Sequence, residues 1–202
     1  MYGPKESETV SVIFSWIKRS FGIEAAPSAD AAAEAVLLAA REPAFYLRLG
    51  VPDTFDGRFE VVALHTQLVL RRLKNEPDPE LGQVLAQGIF DYLTGHFDEA
   101  LREIGVGDMS VGKRMKAMAS GLYGRLAAYD AGFQAEDGEV MADALRRNLY
   151  GTVDEAERRW IGSIIEYQQA AATHLNQMTV AEIQSGKNLF PSVAVPDREE
   201  MK

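Results

Sequence analysis

Cysteine is absent from this 202-residue chain. That excludes disulfides, thiolate nucleophiles and cysteine-ligated metals, and it suits a reducing compartment. Histidine is scarce, with His65, His96 and His174 the full complement. None has a second histidine or a carboxylate four residues away, and the Glu-x-x-His pairs of di-iron bundles are missing. No metal site and no cofactor is expected. A Gly-x-Ser-x-Gly elbow and an Asp-Asp-x-x-Asp run are also missing, so no catalytic constellation emerges. No apolar run approaches the roughly 20 residues that cross a bilayer. Residues 10–17 are too short for a signal peptide and no small-residue cleavage site follows, so none is expected. Positive charge is in deficit, with 21 Lys and Arg against 30 Asp and Glu and a net charge of −9. Non-specific nucleic-acid affinity depends on neutralising phosphates, so direct DNA binding is not expected. Period-two alternation is missing throughout, which argues against sheets.

What the chain does contain is helix. The spacing predicts helices over about residues 8–20, 29–41, 44–49, 57–74, 79–104, 111–133 and 139–149. A further one runs from about 152 to 174, and a short one follows Thr179. Asp56, Asp78, Ser110, Thr152 and Thr179 are the expected N-caps, the last two opening capping boxes with Glu155 and Glu182. Residues 57–74 set Phe59, Val62, Ala63, Thr66, Val69, Leu70 and Leu73 on one apolar face and end in Arg71, Arg72 and Lys74. The expectation is an all-α chain with a single globular multi-helix domain of about seven to eight helices. Residues 1–27 form a short N-terminal amphipathic segment, 28–185 the domain, and 186–202 an extended or flexible tail.

Three features invite a functional reading. Phe14, Trp16, Ile17 and Phe21 stand beside Lys18 and Arg19, which suits an interfacial helix touching lipid headgroups or an ordinary core helix. Gly107 to Lys113 follows most of a phosphate-binding Gly-x4-Gly-Lys pattern. A helix precedes it and Arg114 replaces the hydroxyl residue, so it reads as a connection between helices. Arg71, Arg72 and Lys74 form one basic cluster, and Lys113, Arg114 and Lys116 another. Each reads as a solvated helix terminus or, if the fold joins them, as a positive patch bordered by Phe45, Tyr46, Phe55 and Tyr123. Such a patch would suit a partner with apolar and anionic character.

Residues 49–54 (Leu-Gly-Val-Pro-Asp-Thr), 56–59 (Asp-Gly-Arg-Phe), and His65 with Leu70, Arg71 and Arg72 carry a family resemblance. Residues 105–108, 112–114, 123–125, 129–130 and 144–148 extend it in one order along the chain. Over roughly residues 30–175 the chain resembles the ubiquinol–cytochrome c chaperone family and looks like a bacterial member. The resemblance implies a non-enzymatic assembly factor for the cytochrome bc1 complex (ubiquinol–cytochrome c reductase). It implies a client, newly made cytochrome b or another bc1 subunit, and action near the ribosome. It places the protein in the cytoplasm, peripherally associated with the inner membrane. Pro52, Asp53, Arg58, His65 and Arg125 thereby join Phe45, Tyr46, Phe55, Arg71, Arg72, Lys113, Arg114 and Tyr123 as candidate partner-binding residues. The alternatives are a helical binding protein or enzyme for haem or an isoprenoid, and a structural adaptor that dimerises through residues 154–174.

Overall fold

A computed structural model describes residues 29–193, apart from residues 104, 106, 136 and 155 and the side chains of 108 and 109. The segment carrying Phe14, Trp16, Ile17, Lys18, Arg19 and Phe21 lies outside the described residues, as do residues 194–202. Eight helices and no strand occur among the described residues. They are α1 (Asp30–Ala39), α2 (Pro43–Leu47), α3 (Phe55–Lys74), α4 (Pro79–Glu103), α5 (Asp108–Gln134), α6 (Glu139–Arg147), α7 (Arg158–Asn176) and α8 (Val180–Gln184). The all-α expectation holds.

Local capping explains several boundaries. The Asp78 carboxylate accepts from the N–H groups of Glu80 and Leu81, at 3.1 and 3.2 Å, at the start of α4. Thr179 and Glu182 form the expected capping box of α8. The other three expected caps fall elsewhere. Thr54, not Asp56, caps α3, because its extended backbone turns the hydroxyl towards the Gly57 N–H, 3.1 Å away. Ser110 lies inside α5, whose first turn closes on the Gly107 carbonyl without a side-chain cap. Thr152 opens no helix: α7 begins at Arg158, after a turn held to the body by the Tyr150 hydroxyl, which donates to the Leu49 carbonyl at 2.7 Å. A tertiary tie there outweighs a local capping pattern.

Helix α3 organises the rest. It packs against α1, α4, α5 and α7, and every residue from Phe59 to Leu70 is buried. The single apolar face expected from its spacing is thus replaced by burial all round. Glu60, His65, Thr66 and Gln67 are buried with it. Buried polar groups must be paired. Arg125 of α5 grips Glu60 through two hydrogen bonds, Nε to Oε2 at 2.6 Å and Nη2 to Oε1. Thr66 donates back to the Val62 carbonyl at 2.7 Å. His65 Nδ1 donates to the Val61 carbonyl at 2.8 Å, which leaves Nε2 to accept from the Tyr167 hydroxyl at 2.8 Å. Burial pulls His65 from 6.5 down to about 4, although the bond to Val61 acts the other way.

Of the expected tail from Gly186, residues 186–193 are described. Residues 186–193 lie on the body: Leu189 is buried and the Phe190 ring meets His65 edge-on at 4.7 Å. Gly186 turns there with φ +67°, where a Cβ would come within 2.2 Å of the Ala31 carbonyl. His174 Nε2 donates to the Asn188 carbonyl at 2.7 Å.

Two stability outcomes follow from α3. His65 binds its proton in the unfolded chain near pH 6.5 but in the fold only near pH 4. Its neutral burial therefore stabilises fully above pH 6.5, and that share fades as pH falls towards 4. The loss is on the order of 3 kcal/mol. Urea unfolding between pH 7 and 4 should show it, and His65→Gln should flatten that part of the profile. Arg125→Ala, which strands the Glu60 carboxylate, should lower unfolding free energy by about 3 kcal/mol. Pairing it with Glu60→Gln should recover part of that loss.

Candidate functional site

The segment between α2 and α3 is a rigid turn. Gly50 has φ +68°, and a Cβ there would fall 2.4 Å from the Trp160 ring of α7. Pro52 leads into it, and a Cβ at Gly57 would lie 2.0 Å from the Pro52 carbonyl. Only glycine permits both approaches. Asp53 then accepts from Arg58 Nε at 2.7 Å, and the Arg58 guanidinium lies over the Tyr46 ring at 5.3 Å. Tyr46 in turn donates its hydroxyl to the Ala40 carbonyl at the end of α1. Burial pushes Tyr46 up to about 12, so it stays a neutral donor, while the hydrogen bond to Asp53 raises Arg58.

Beside this turn lies a cleft of about 160 Å³. Its walls are Leu37, Ala40 and Arg41 at the end of α1, Phe55, Arg58, Phe59 and Val62 on the first turns of α3, and His96, Phe97 and Ala100 on α4. Phe59 and Phe97 meet edge-on at 5.3 Å and form its floor. Arg125 stands over the Phe59 ring, 5.2 Å from its centroid. The lining is apolar, with Arg41, Arg58 and His96 as its polar groups. It offers no nucleophile beside a base, and no cluster of metal-binding side chains occurs among the described residues. Chemically this is a place to hold an apolar side chain or a short apolar segment with a carboxylate or carbonyl near its edge.

The structure sorts the residues singled out from sequence into several groups. Phe55 and Arg58 line the cleft, and Tyr46, Pro52 and Asp53 shape its edge. Phe45 and His65 are fully buried, 5.5 Å apart edge-on, and present no atoms to a partner. Arg71, Arg72 and Arg125 are bound within the fold. Arg71 pairs with Asp130 and lies over Phe133 at 4.8 Å, with Lys74 3.5 Å from the same carboxylate. Arg72 bonds Glu76 at 2.7 Å and the Met178 carbonyl at 2.9 Å. Tyr123 is half-buried, stacked on Phe90 at 5.2 Å.

Lys113 and Arg114 remain exposed near the start of α5. The Arg71 cluster meets α5 at Asp130, 17 residues beyond Lys113. That separates the two clusters by about 25 Å along the helix, and no joint positive patch forms. The cleft residues missed from sequence, Leu37, Arg41, Phe59, Val62, His96, Phe97 and Ala100, come from three helices. Of these only Phe59 stood in a stretch that carried the family resemblance.

Comparison with known proteins covers the turn and the α3 and α4 walls of the cleft. Residues 47–190 match the ubiquinol-cytochrome C chaperone family. Ubiquinol-cytochrome c reductase complex assembly factor 1 of Mus musculus is 28% identical over 134 residues, 66% of this chain and 44% of that protein. The mitochondrial protein CBP3 of Saccharomyces cerevisiae is 28% identical over 164 residues, 77% of this chain and 48% of that protein. The chain thus spans somewhat under half the length of these curated relatives. The crystal structure of the Cbp3 homolog from Brucella abortus superposes with a TM-score of 0.70 at 32% identity, covering 90% of this chain and 97% of that one. With its family match running from α2 to Phe190 and a solved relative sharing the fold almost end to end, the chain belongs to the ubiquinol-cytochrome C chaperone family.

Proposed function

We propose that this protein is a non-enzymatic assembly chaperone of the ubiquinol–cytochrome c reductase complex, and that its client is newly made cytochrome b. The observation that carries the reading is the family match over residues 47–190, joined to relatives named as assembly factors of that complex. The cleft beside Phe55 and Arg58 supports it physically. A membrane-protein client exposes apolar helices before assembly, and an apolar cleft with a cationic rim can shield such a segment while holding its polar end. No helix among the described residues is long and apolar enough to cross a membrane, which agrees with peripheral action at the inner membrane. On this reading Phe55 and Arg58 touch the client, while Tyr46, Pro52 and Asp53 position them. The cleft itself, at about 160 Å³, is smaller than the roughly 300–1,000 Å³ that usually encloses a ligand of haem or isoprenoid size.

Deleting the gene should remove the b-type haem signal of the complex and its quinol–cytochrome c reductase activity from the membranes, both restored by the wild-type copy. Unchanged spectra and activity would refute the reading. Phe55→Asp and Arg58→Glu should each cut crosslinking to cytochrome b by roughly 10- to 30-fold with the fold retained. Equal crosslinking by these variants would move the client surface away from the cleft.

A further inference from the structure

Helix α5 is 27 residues long, yet its first half contributes little to the core. Val111, Leu122 and Leu126 are buried and Met115 and Met118 partly so, which defines one inward stripe at helical spacing. The opposite stripe, Lys113, Lys116, Ala117, Ser120 and Gly124, is exposed throughout, and Arg114 is exposed at its edge. None of the three cations has a partner among the described residues, in contrast to Arg71, Arg72 and Arg125. Asp98 on neighbouring α4 is already engaged by Arg102 at 2.7 Å. A Cβ at Gly112 or Gly124 would meet nothing, so internal packing does not account for either glycine. Glycine inside a helix costs about 1 kcal/mol relative to alanine.

We infer that this outward face of α5 docks on an anionic lipid surface, with Lys113, Arg114 and Lys116 binding headgroup phosphates. The charge argument is local: three unpaired cations within four residues stand on a chain whose net charge is −9. The shape argument favours a flat partner. Beyond the cations the stripe carries only small side chains, so the helix can lie close to a plane of phosphates. A protein partner of ordinary size would call for aromatic or large apolar anchors, and the exposed stripe has none. An RNA would need a longer basic track and would be repelled by the acidic remainder. Adsorption of this kind is electrostatic and reversible, worth about fivefold in affinity per cation. This inference stands apart from the cleft and from the identity of the client.

The test is co-sedimentation of the full chain with vesicles of phosphatidylglycerol and phosphatidylcholine, and with pure phosphatidylcholine. Binding is expected to the anionic vesicles only and to weaken steeply at about 0.5 M salt. The combined Lys113→Glu, Arg114→Glu and Lys116→Glu variant should lose well over about 100-fold in partitioning, with helicity and melting temperature retained. The neutral combination Lys113→Gln, Arg114→Gln and Lys116→Gln should fall between. Lys18→Ala with Arg19→Ala should leave most of the dependence in place. Equal binding to neutral vesicles, or partitioning unaffected by the triple reversal, would overturn the proposal. So would polyuridylate binding that vanishes on reversal while vesicle binding is absent.

Discussion

The burial of α3 on every side is the constraint on which the remaining helices depend. A 20-residue helix spans about 30 Å, and over its middle it keeps no face for solvent. Its polar residues must therefore find partners inside the molecule, and those partners fix the surrounding helices. Arg125 sets α5 against Glu60, and the Tyr167 hydroxyl sets α7 against His65. Apolar packing alone would tolerate a slide of one residue in either contact. Hydrogen bonds from a planar guanidinium and an oriented imidazole do not. The demand is not met everywhere, since Gln67 and Gln168 bury both amide atoms without a protein partner. Those two positions are where a bridging water would serve best.

The cleft depends on the same helix through its first turn. Thr54 and Gly57 fix where α3 begins, Gly50 lets the chain pass close to Trp160, and the end of α1 is tied down by Tyr46. Three helices then meet around Phe59 and Phe97, and the edge of the opening between them is tied by Arg58 to Asp53 and Tyr46. An apolar opening with so firm an edge is preorganised, so little ordering remains to be done when something enters.

Helix identity was legible from spacing and punctuation, and the caps at Asp78 and Thr179 with it, because those signals act within four residues. The pattern at Thr152 failed where the Tyr150–Leu49 bond, spanning 101 positions, outweighed it. The candidate site was legible only in part. Phe55 and Arg58 stood in a distinctive turn, whereas Leu37, Arg41 and Phe97 become neighbours through tertiary packing alone. Arg71 with Arg72 and Lys113 with Arg114 look alike as sequence. What separates them is the residue opposite: Asp130 and Glu76 in the first case, and no described partner in the second. Ion pairs 59 and 65 positions apart leave no periodic trace.

The segment from Gly186 to Val193 carries a consequence for the order of assembly. His65 receives one of its aromatic covers, Phe190, from 125 positions later in the chain. During synthesis from the N-terminus, the central helix can form early, yet its imidazole stays open to water until that late stretch has emerged. Contacts of such sequence separation are slow to close. The fold is therefore completed by the stretch Gly186–Val193, and a chain ending before Leu189 would contain every described helix and still lack its seal.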